Sequence, residues 1–338
     1  MSFSSDTCAP AHPAVLAAQA AANTGFAPSY GADDYSARLA GRLREVFETD
    51  DLAVAIATTG TAANALALSM LTPPTGGGLC HHIAHINTHE RGAPEFFTGA
   101  KLTGLPGDHA RIDPDALEAA LAARDPGFVH LPLASALSIS NLTESGTVYS
   151  PAEASRLCGM AKDSGLGVHV DGARLANAIA ATGAAPADLT WRAGADAVSF
   201  GLTKNGGMSA EMMILFGPLA ARGDELEARR KRAGQMPAKA RFAAAEALAL
   251  LEDGLWLDLA AAANRAATKL SEGLAAIPGV EVLYPVQGNL VFVQMPEAVA
   301  GKAAAAGAGS YARQGSARLV CSWNTEDAEI EALLSALA

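Results

Sequence analysis

The sequence is poor in cysteine. Its 338 residues contain only four cysteines, and no two of them form a Cys-x-x-Cys pair: Cys8, Cys80, Cys158 and Cys321. Cysteines scattered along a long chain are typical of reduced thiols in a cytoplasmic protein, not of a disulfide framework. We therefore expect a cytoplasmic protein without structural disulfides.

Positive charge is also scarce. Lysine and arginine number 24 against 35 aspartate and glutamate residues, which gives a net charge of −11. An acidic chain repels nucleic acids and anionic membranes, so neither is expected as a partner. A small anionic ligand is still compatible with this charge, since a local cluster of donors can outweigh it.

Long apolar runs are missing as well. The alanine-rich stretch of residues 243–268 is interrupted by Glu246, Glu252, Asp253 and Asp258, so it is not expected to span a bilayer. Residues 1–10 lack the basic stretch and the apolar run of a signal peptide. Both observations predict a protein with no membrane partner.

The first two thirds of the chain contain an alternation of strand and helix patterns. With 50% hydrophobic residues, the chain can bury one large core and a smaller one. The alternation predicts an α/β fold with a mostly parallel sheet covered by helices on both faces. The predicted strands are Leu52–Ala57, Leu79–Ile83, Phe128–Leu133, Gly167–Asp171 and Ala197–Phe200. Helices are predicted from Pro13, over Ala62–Met70, over Pro151–Lys162 with Ser150 as N-cap, and from Ala173.

The pattern changes after about residue 235, where an Ala- and Leu-rich helical zone runs to about residue 275. A last helix and three short strands follow, the strands at Val280–Leu283, Leu290–Gln294 and Ala317–Cys321. This change predicts a large domain of residues 1–245, including the N-terminal segment, and a small α+β domain of residues 246–338. The stretches Gly76–Gly78 and Gly301–Gly309 are expected to be loops.

The first candidate site residues follow the strand Leu52–Ala57. Thr59, Gly60 and Thr61 place two hydroxyl groups around a glycine at the start of a helix. In an open parallel sheet, ligands bind beyond the carboxyl ends of the strands. A helix N-terminus there offers free N–H groups and a favourable dipole to a phosphate. The alternative is an ordinary helix N-cap.

Asp171 ends the strand Gly167–Asp171, after an apolar run. A partly buried carboxylate needs a cationic partner. The sequence is compatible with two partners: Arg174, about a turn later, or a ligand cation such as a protonated pyridine nitrogen.

Lys204 follows the strand Ala197–Phe200, in a turn flanked by Gly201 and Gly206. A lysine in such a pocket can have a lowered pKa and attack an aldehyde, while the alternative is a loop lysine in solvent. Together, a phosphate cradle, an acid for a ring nitrogen and a reactive lysine are the three points that fix pyridoxal 5'-phosphate (PLP). We therefore predict PLP as the cofactor.

Four histidines lie close together in the sequence: His81, His82, His85 and His89. A metal site is the obvious alternative reading. However, His81 and His82 are expected to face opposite ways in a strand, and no Cys–His spacing matches a zinc motif. We expect no metal, and instead one imidazole that stacks on the cofactor ring and is usable as a base.

These residues belong to a set of motifs that resembles the low-specificity L-threonine aldolases. The resemblance runs from about residue 3 to residue 335, and the Asp-Gly-Ala-Arg and Thr-Lys-Asn-Gly motifs are specific as a pair. It implies fold type I of the PLP enzymes, and a homodimer or homotetramer with shared active sites. The motifs are Ser5–Thr7, Tyr30–Gly31, Thr59–Thr61 with Asn64, Ala84–His85, His169–Arg174, Thr203–Gly206, Gly234–Met236, Pro285–Gln287 and Arg318–Val320.

The resemblance also implies residue roles. Lys204 would form a Schiff base with the cofactor, Asp171 would pair with the pyridine nitrogen, and His85 would stack on the ring. The cofactor phosphate would be held by Gly60, Thr61 and Thr203, with Thr59 beside them. The substrate carboxylate or the phenolic oxygen of the cofactor would be held by Ser5, Arg174 and Arg318. Tyr30 and Lys231, the latter in the basic run Arg229–Arg232, would reach the site of a neighbouring subunit.

The chain departs from the family pattern at two positions. Leu202 stands where a glycine is often found before Thr203, and Glu144 stands where some members carry a second active-site histidine. Both changes leave the cofactor site intact. They leave open which group accepts the substrate proton: His85, Glu144 or a water held by either. The Ala/Gly-rich stretch between Pro296 and Ala317 is short, so the part of the small domain that covers the substrate is expected to differ.

The activity implied by the resemblance is reversible cleavage of L-threonine, L-allo-threonine or a related β-hydroxy-α-amino acid to glycine and an aldehyde. The first alternative is another fold type I activity, β-elimination or transamination. The second is a dehydrogenase-like nucleotide-binding protein, although no G-x-G-x-x-G follows the first strand and no G-x-x-x-x-G-K-[ST] occurs. The third is a binding module without a cofactor.

Overall fold

The computed structural model of the chain describes residues 3–306, 308 and 316–337. These residues form a seven-stranded sheet flanked by helices and, towards the C-terminus, a three-stranded sheet. The strands are β1 Leu52–Ala57, β2 Gly76–His81, β3 Lys101–Leu105, β4 Leu133–Ser140, β5 Gly167–Gly172, β6 Ala197–Gly201, β7 Glu211–Phe216, β8 Glu281–Val282, β9 Leu290–Gln294 and β10 Ser316–Val320. The α-helices are α1 Pro13–Ala22, α2 Asp34–Val46, α3 Gly60–Leu71, α4 His85–Thr88, α5 Ala93–Thr98, α6 Pro114–Ala122, α7 Pro151–Asp163, α8 Leu175–Thr182, α9 Gly223–Arg232, α10 Arg241–Leu251, α11 Leu255–Ala275, α12 Glu297–Ala305 and α13 Asp327–Leu337.

The large sheet has the strand order β1-β7-β6-β5-β4-β2-β3. Parallel pairing joins β3, β2, β4, β5 and β6, while β7 runs antiparallel between β6 and β1. The predicted mostly parallel α/β sheet is therefore confirmed. The carboxyl ends of β1, β4, β5 and β6 meet the amino end of β7 at one edge, which we call the carboxyl edge.

Local sequence signals account for several helix starts. The Ser150 side chain accepts a hydrogen bond from the Glu153 N–H, and the Glu153 side chain accepts one from the Ser150 N–H, so that α7 begins with a capping box. The predicted N-cap at Ser150 is confirmed. The helix predicted from Ala173 begins later, at Leu175, because the Ala173 N–H bonds back to the Asp171 side chain.

The expectation that Gly76–Gly78 forms a loop is wrong. These glycines are the buried first half of β2. A Cβ at Gly78 would lie 2.7 Å from the Leu102 side chain, and one at Gly76 would lie 2.6 Å from Ser135. Glycine is needed here because neighbouring side chains fill the space that a larger residue would occupy.

The strand predicted over Phe128–Leu133 is also wrong, since β4 begins only at Leu133 and Phe128 is 48% exposed. The edge strand β3 and the buried strand β7 were not predicted. Part of the loop expected over Gly301–Gly309 is helical, because α12 continues to Ala305. The rest of that stretch, apart from residues 306 and 308, lies outside the described residues.

The C-terminal sheet has its own apolar core, and the N-terminal segment joins it. Phe3 is buried with the residues of β9, β10, α11 and α13, and its carbonyl accepts a hydrogen bond from the Val320 N–H at 2.8 Å. Helix α10 runs across residues 245 and 246, so the domain boundary proposed there divides a helix. Within the described ranges, no helix is both long and apolar enough to cross a membrane.

One fully buried carboxylate fixes the loop that follows β6. Glu246 of α10 accepts hydrogen bonds at Oε1 from three consecutive N–H groups, those of residues 208–210, at 2.6, 3.0 and 3.0 Å. Its Oε2 accepts a hydrogen bond from Gln19 of α1 at 3.3 Å. Charge-assisted hydrogen bonds of this kind are stronger than neutral ones. Glu246 therefore ties two helices to the loop that continues from Lys204.

Glu246→Ala is expected to lower the free energy of unfolding by about 3 kcal/mol or more, because it leaves three N–H groups without their acceptor. Urea unfolding followed by circular dichroism measures this loss. Glu272→Ala, at an exposed position of α11, is the control and is expected to cost less than about 0.5 kcal/mol. Equal losses for the two variants would contradict the anchoring role of Glu246.

Candidate active site

Lys204 lies in a short 3₁₀ turn, Thr203–Asn205, directly beyond the end of β6. The turn is held by hydrogen bonds from the Asn205 side chain to the Trp256 carbonyl at 2.7 Å and from the His12 N–H to the Gly206 carbonyl at 2.8 Å. The Lys204 side chain itself makes no hydrogen bond or ion pair with the described residues. A rigid turn thus presents an amine that has no partner within the described part of the chain.

The electrostatic surroundings of Lys204 favour the unprotonated amine. Burial lowers the pKa of Lys204, and the positive charge of Arg174 lowers it further. Three carboxylates oppose the shift: Asp6, Asp171 and Glu211. An amine with a lowered pKa is the form of lysine that attacks aldehydes.

Asp171 is the last residue but one of β5 and is 5% exposed. Its Oδ1 accepts the Ala173 N–H at 3.0 Å, and its Oδ2 accepts the Asn64 side-chain amide at 3.0 Å. The ion pair with Arg174 that the sequence left open does not form. Among the described residues no lysine or arginine pairs with Asp171, which leaves this buried carboxylate available to a cationic ligand.

Arg174 pairs with Asp6 instead. Its Nε and Nη2 donate to the two carboxylate oxygens of Asp6 at 2.6 and 3.0 Å, and Asn289 donates to the same carboxylate at 2.9 Å. Burial alone would raise the pKa of Asp6, but the charge and hydrogen bonds of Arg174 outweigh it and hold this pKa below the usual value. The remaining nitrogen of Arg174, Nη1, has no partner within the described ranges.

His85 begins α4 beyond β2, where its ring reaches a buried polar network. Its Nδ1 lies 2.7 Å from Oε1 of Glu90, and Glu90 also accepts the Asn64 amide at 2.9 Å. Because the same amide bonds Asp171, Asn64 bridges the two acids. Burial raises the pKa of Glu90, and the negative charge of Asp171 raises it further. The hydrogen bond with His85 acts in the opposite direction. The network fixes the orientation of the His85 ring relative to Asp171.

Glu144 reaches the same place from the loop after β4. Its Oε1 accepts the His85 N–H at 2.8 Å and the Ser140 hydroxyl at 2.7 Å. Burial raises the pKa of Glu144, and the charge of Asp171 contributes to the rise although these hydrogen bonds oppose it. A carboxyl group with a raised pKa is suited to proton transfer near neutral pH.

His81 and His82 contact backbone carbonyl groups. Nε2 of His81 lies 3.0 Å from the Gly107 carbonyl, and Nδ1 of His82 lies 3.2 Å from the Leu105 carbonyl. β2 ends at His81, and the two rings lie 4.3 Å apart, so the expectation that they face opposite ways is wrong. The described residues contain no group of three or more His, Cys, Asp and Glu side chains that could hold a metal ion.

The predicted phosphate residues converge at the start of α3. Thr59 caps this helix by accepting the Ala62 N–H, while the N–H groups of Gly60 and Thr61 have no acceptor within the described residues. Thr203 approaches from the Lys204 turn, and its N–H donates to Oε1 of Glu211 at 3.3 Å. Helix dipole, free N–H groups and hydroxyls therefore meet beside Lys204.

Four predicted residues are engaged elsewhere in the single chain. The Ser5 hydroxyl contacts Thr7 at 2.8 Å, and Arg318 donates to the Ser4 carbonyl at 3.2 Å, next to the segment that carries Asp6. Lys231 lies over the ring of Tyr30, with Nζ 4.6 Å from the ring centroid. Both members of this pair are exposed, which suits contact with a second subunit.

Three buried side-chain oxygens around His85 and Asp171 have no hydrogen-bond partner: Asn64 Oδ1, Glu90 Oε2 and Glu144 Oε2. Such atoms are rare in folded proteins and typically mark a bound ligand or a catalytic group. An acid without a cation, an unpaired lysine and a free helix N-terminus lie beside them. The described residues therefore fit PLP at its ring nitrogen, aldehyde and phosphate.

Comparison with known proteins agrees with this geometry. The family model of the beta-eliminating lyases matches residues 2–298. The low specificity L-threonine aldolase of Pseudomonas sp. (strain NCIMB 10558) is 42% identical over 98% of this chain and 95% of its own length. The enzyme of the same name from Pseudomonas aeruginosa is 39% identical over 96% of this chain and 93% of its own length. This chain belongs to the beta-eliminating lyase family, and within it to the low-specificity L-threonine aldolases.

A solved structure supports the same family assignment. The structure of threonine aldolase from Leishmania major superposes on this chain with a TM-score of 0.90. The two chains are 28% identical, and the match covers 99% of this chain and 98% of that one. The fold type predicted from the motifs is therefore confirmed.

Four acidic side chains that contact site residues or the loop after Lys204 were not predicted from the sequence: Asp6, Glu90, Glu211 and Glu246. Asp6 lies within a motif that was noticed, Ser5–Thr7, but its partner Arg174 is 168 positions away. Glu90 closes the histidine-rich segment, and Glu211 opens a strand that was overlooked. The one available signal was an acidic residue beside an apolar run, where it needs a partner.

Asp6→Asn is expected to cost about 3–5 kcal/mol of stability, because it leaves the Arg174 charge without its counter-charge. Since the pKa of Asp6 is held below its usual value of 3.8, its contribution is complete above about pH 4 and is lost as the pH falls further. Urea unfolding at about pH 7 and pH 3 measures both effects. Asp188→Asn, in an exposed pair with Arg192, is the control and is expected to change little. Equal stability of the Asp6 variant and wild type at neutral pH would argue against the pair.

Proposed function

We propose that the chain is a PLP-dependent aldolase that cleaves L-threonine, L-allo-threonine or a related β-hydroxy-α-amino acid reversibly to glycine and an aldehyde. The observation that carries the proposal is the unpaired Lys204, with its lowered pKa, between the free N-terminus of α3 and the cation-free Asp171. The names of the two Pseudomonas relatives support the same reaction.

When bound, PLP supplies an aldehyde for an amine and a protonated ring that accepts the electron pair of the broken Cα–Cβ bond. The residues of the chain position it. Asp171 would stabilise the charge on the ring nitrogen, His85 would cover the ring, and Lys204 would be the nucleophile. The phosphate is held by Gly60, Thr61 and Thr203, with Thr59 capping the helix behind them.

The proton acceptor for the β-hydroxyl is Glu144, His85 or a water that either one holds. Glu144 is favoured by a specific observation, since its buried Oε2 has no partner and its pKa is raised. His85 acts through the face of its ring, and its Nδ1 is already engaged by Glu90. A base in hydrogen-bond reach of the hydroxyl contributes about 10²–10⁴-fold to the rate.

The substrate carboxylate is bound by arginine. Arg174 is fixed by Asp6 and keeps Nη1 available, while Arg318 lies beside the Ser4 carbonyl on the same N-terminal segment. Ser5 belongs to that segment and contributes its hydroxyl. By binding the carboxylate these residues would orient the substrate at Cα, and this orientation would favour cleavage of Cα–Cβ over β-elimination or transamination.

The active protein is a homodimer or homotetramer that works in the cytoplasm. The exposed pair of Tyr30 and Lys231 contributes to the site of a neighbouring subunit, because neither residue contacts Lys204 or Asp171 within one chain. This assignment extends the functional site beyond a single chain.

Lys204→Ala is expected to fold normally and to lose at least about 10³-fold in turnover, because the amine that binds the aldehyde is gone. The measurement is acetaldehyde release from L-threonine in the presence of PLP, with circular dichroism as the check on folding. The control is Lys239→Ala, which removes an exposed lysine in the segment between α9 and α10. Release of 2-oxobutanoate and ammonia from L-threonine by the wild type, without aldehyde, would reject the aldolase proposal in favour of β-elimination.

A shared site predicts complementation between two inactive variants. Lys204→Ala and Lys231→Ala are each expected to lose most activity, whereas mixed dimers regain one intact site, or about a quarter of the wild-type activity after random exchange. Aldehyde release from refolded mixtures measures this gain. No gain in mixtures that mass spectrometry shows to contain mixed dimers would place Lys231 in its own subunit's site or in neither.

A further inference from the structure

Glu211 is a buried acid at the centre of the phosphate residues, and the chemistry above gives it no task. It opens β7 at the carboxyl edge and is 6% exposed. Oε1 accepts the Thr203 N–H at 3.3 Å. A Cβ at Gly201 would lie 2.7 Å from its Oε2, and one at Gly60 would lie 3.8 Å from it. Glu211 is therefore in contact with the two segments that cradle the phosphate.

Few charges face this carboxylate. The neighbouring elements β1, β6 and α3 contain no charged residue. Lys204 of the adjoining turn attracts it and Asp171 at the end of β5 repels it. Arg230 of α9 donates a hydrogen bond to the Ile56 carbonyl in β1, and its guanidinium group also forms an ion pair with Glu227.

A carboxylate in this position conflicts with a phosphate. Two like charges a few ångströms apart in a poorly solvated site repel each other by several kcal/mol. A carboxylate that takes up a proton becomes neutral and removes the repulsion. Because residue 201 is a glycine, the Glu211 carboxylate can lie against the backbone of β6, and Gly60 at the start of α3 borders the same carboxylate, so this acid lies beside the residues that hold the phosphate.

We propose that Glu211 is part of the phosphate site and binds one proton from solvent when a dianion binds at the N-terminus of α3. The proposal rests on the function proposed above. The carboxylate becomes a neutral carboxyl group on binding, and the proton returns to solvent when the dianion leaves. No other atom changes its bonding.

The pH at which this exchange occurs follows from the surroundings of Glu211. Burial, opposed by the Thr203 hydrogen bonds and the Lys204 charge, raises the pKa of Glu211 to about 7, with Asp171 adding to the rise. The bound dianion raises this pKa further. At a pH between the pKa of Glu211 in the free protein and its pKa in the complex, binding of the dianion takes up a proton. The affinity for the dianion therefore falls by up to about tenfold for each pH unit above 7.

Sulfate is the probe, because it is a dianion that carries no exchangeable proton in this range. Isothermal titration of the full-length, cofactor-free protein with sulfate at pH 8, in buffers of different ionisation enthalpy, counts the protons taken up. We expect the wild type to take up about one proton more than Glu211→Gln, which should also bind sulfate more tightly at pH 8. Loss of the Lys204 charge with rising pH affects both proteins alike.

The control is Glu144→Gln, which removes another buried acid with a raised pKa but leaves the phosphate residues in place; it should take up protons as the wild type does. Infrared difference spectra of wild type, on sulfate addition, should show a new protonated carboxyl band, which tests the proposal even if Glu211→Gln does not fold. Sulfate binding without proton uptake, or equal uptake by wild type and Glu211→Gln, would overturn the role of Glu211 alone. Absence of sulfate binding at all would overturn the phosphate site and this inference together.

Discussion

The carboxyl edge of the large sheet depends on how buried charge is compensated there. Two basic side chains, Lys204 and Arg174, lie among five acids: Asp6, Glu90, Glu144, Asp171 and Glu211. Buried charge without a partner is costly, so each acid needs a cation, hydrogen bonds or a proton. Arg174 neutralises Asp6, and burial raises the pKa of the three glutamates. Asp171 has no lysine or arginine partner among the described residues and accepts hydrogen bonds only from Ala173 and Asn64, which makes it the position where a cationic ring can bind.

The fold supplies this arrangement through elements that are distant in sequence. The N-terminal segment runs from the small-sheet core, where Phe3 is buried, to Asp6 beside Arg174. Glu246 of α10 anchors the loop that follows Lys204. The same contacts therefore join the two cores and hold the reactive side chains, so that damage to stability and loss of function are expected to coincide at these residues.

The strand and helix rhythm was sufficient to predict the fold class, since period and turn signals are local properties. Lys204, Asp171 and Thr59–Thr61 could be predicted as site residues because side chains that follow parallel strands meet at one edge. Gly76–Gly78 misled the prediction, because the need for small residues in β2 is set by Leu102 and Ser135. The partners of the site residues were missed for the same reason: Asp6 and Glu90 acquire their roles only through contacts that the folded chain creates.

The proposed function requires that the amine of Lys204 captures the aldehyde of PLP. Reduction of the PLP-loaded protein with borohydride, followed by peptide mass spectrometry, identifies the lysine that does so. We expect a yellow protein that bleaches on reduction, with the pyridoxyl group on the peptide that contains Lys204. A label on any other lysine, or an active protein that carries none, would contradict it.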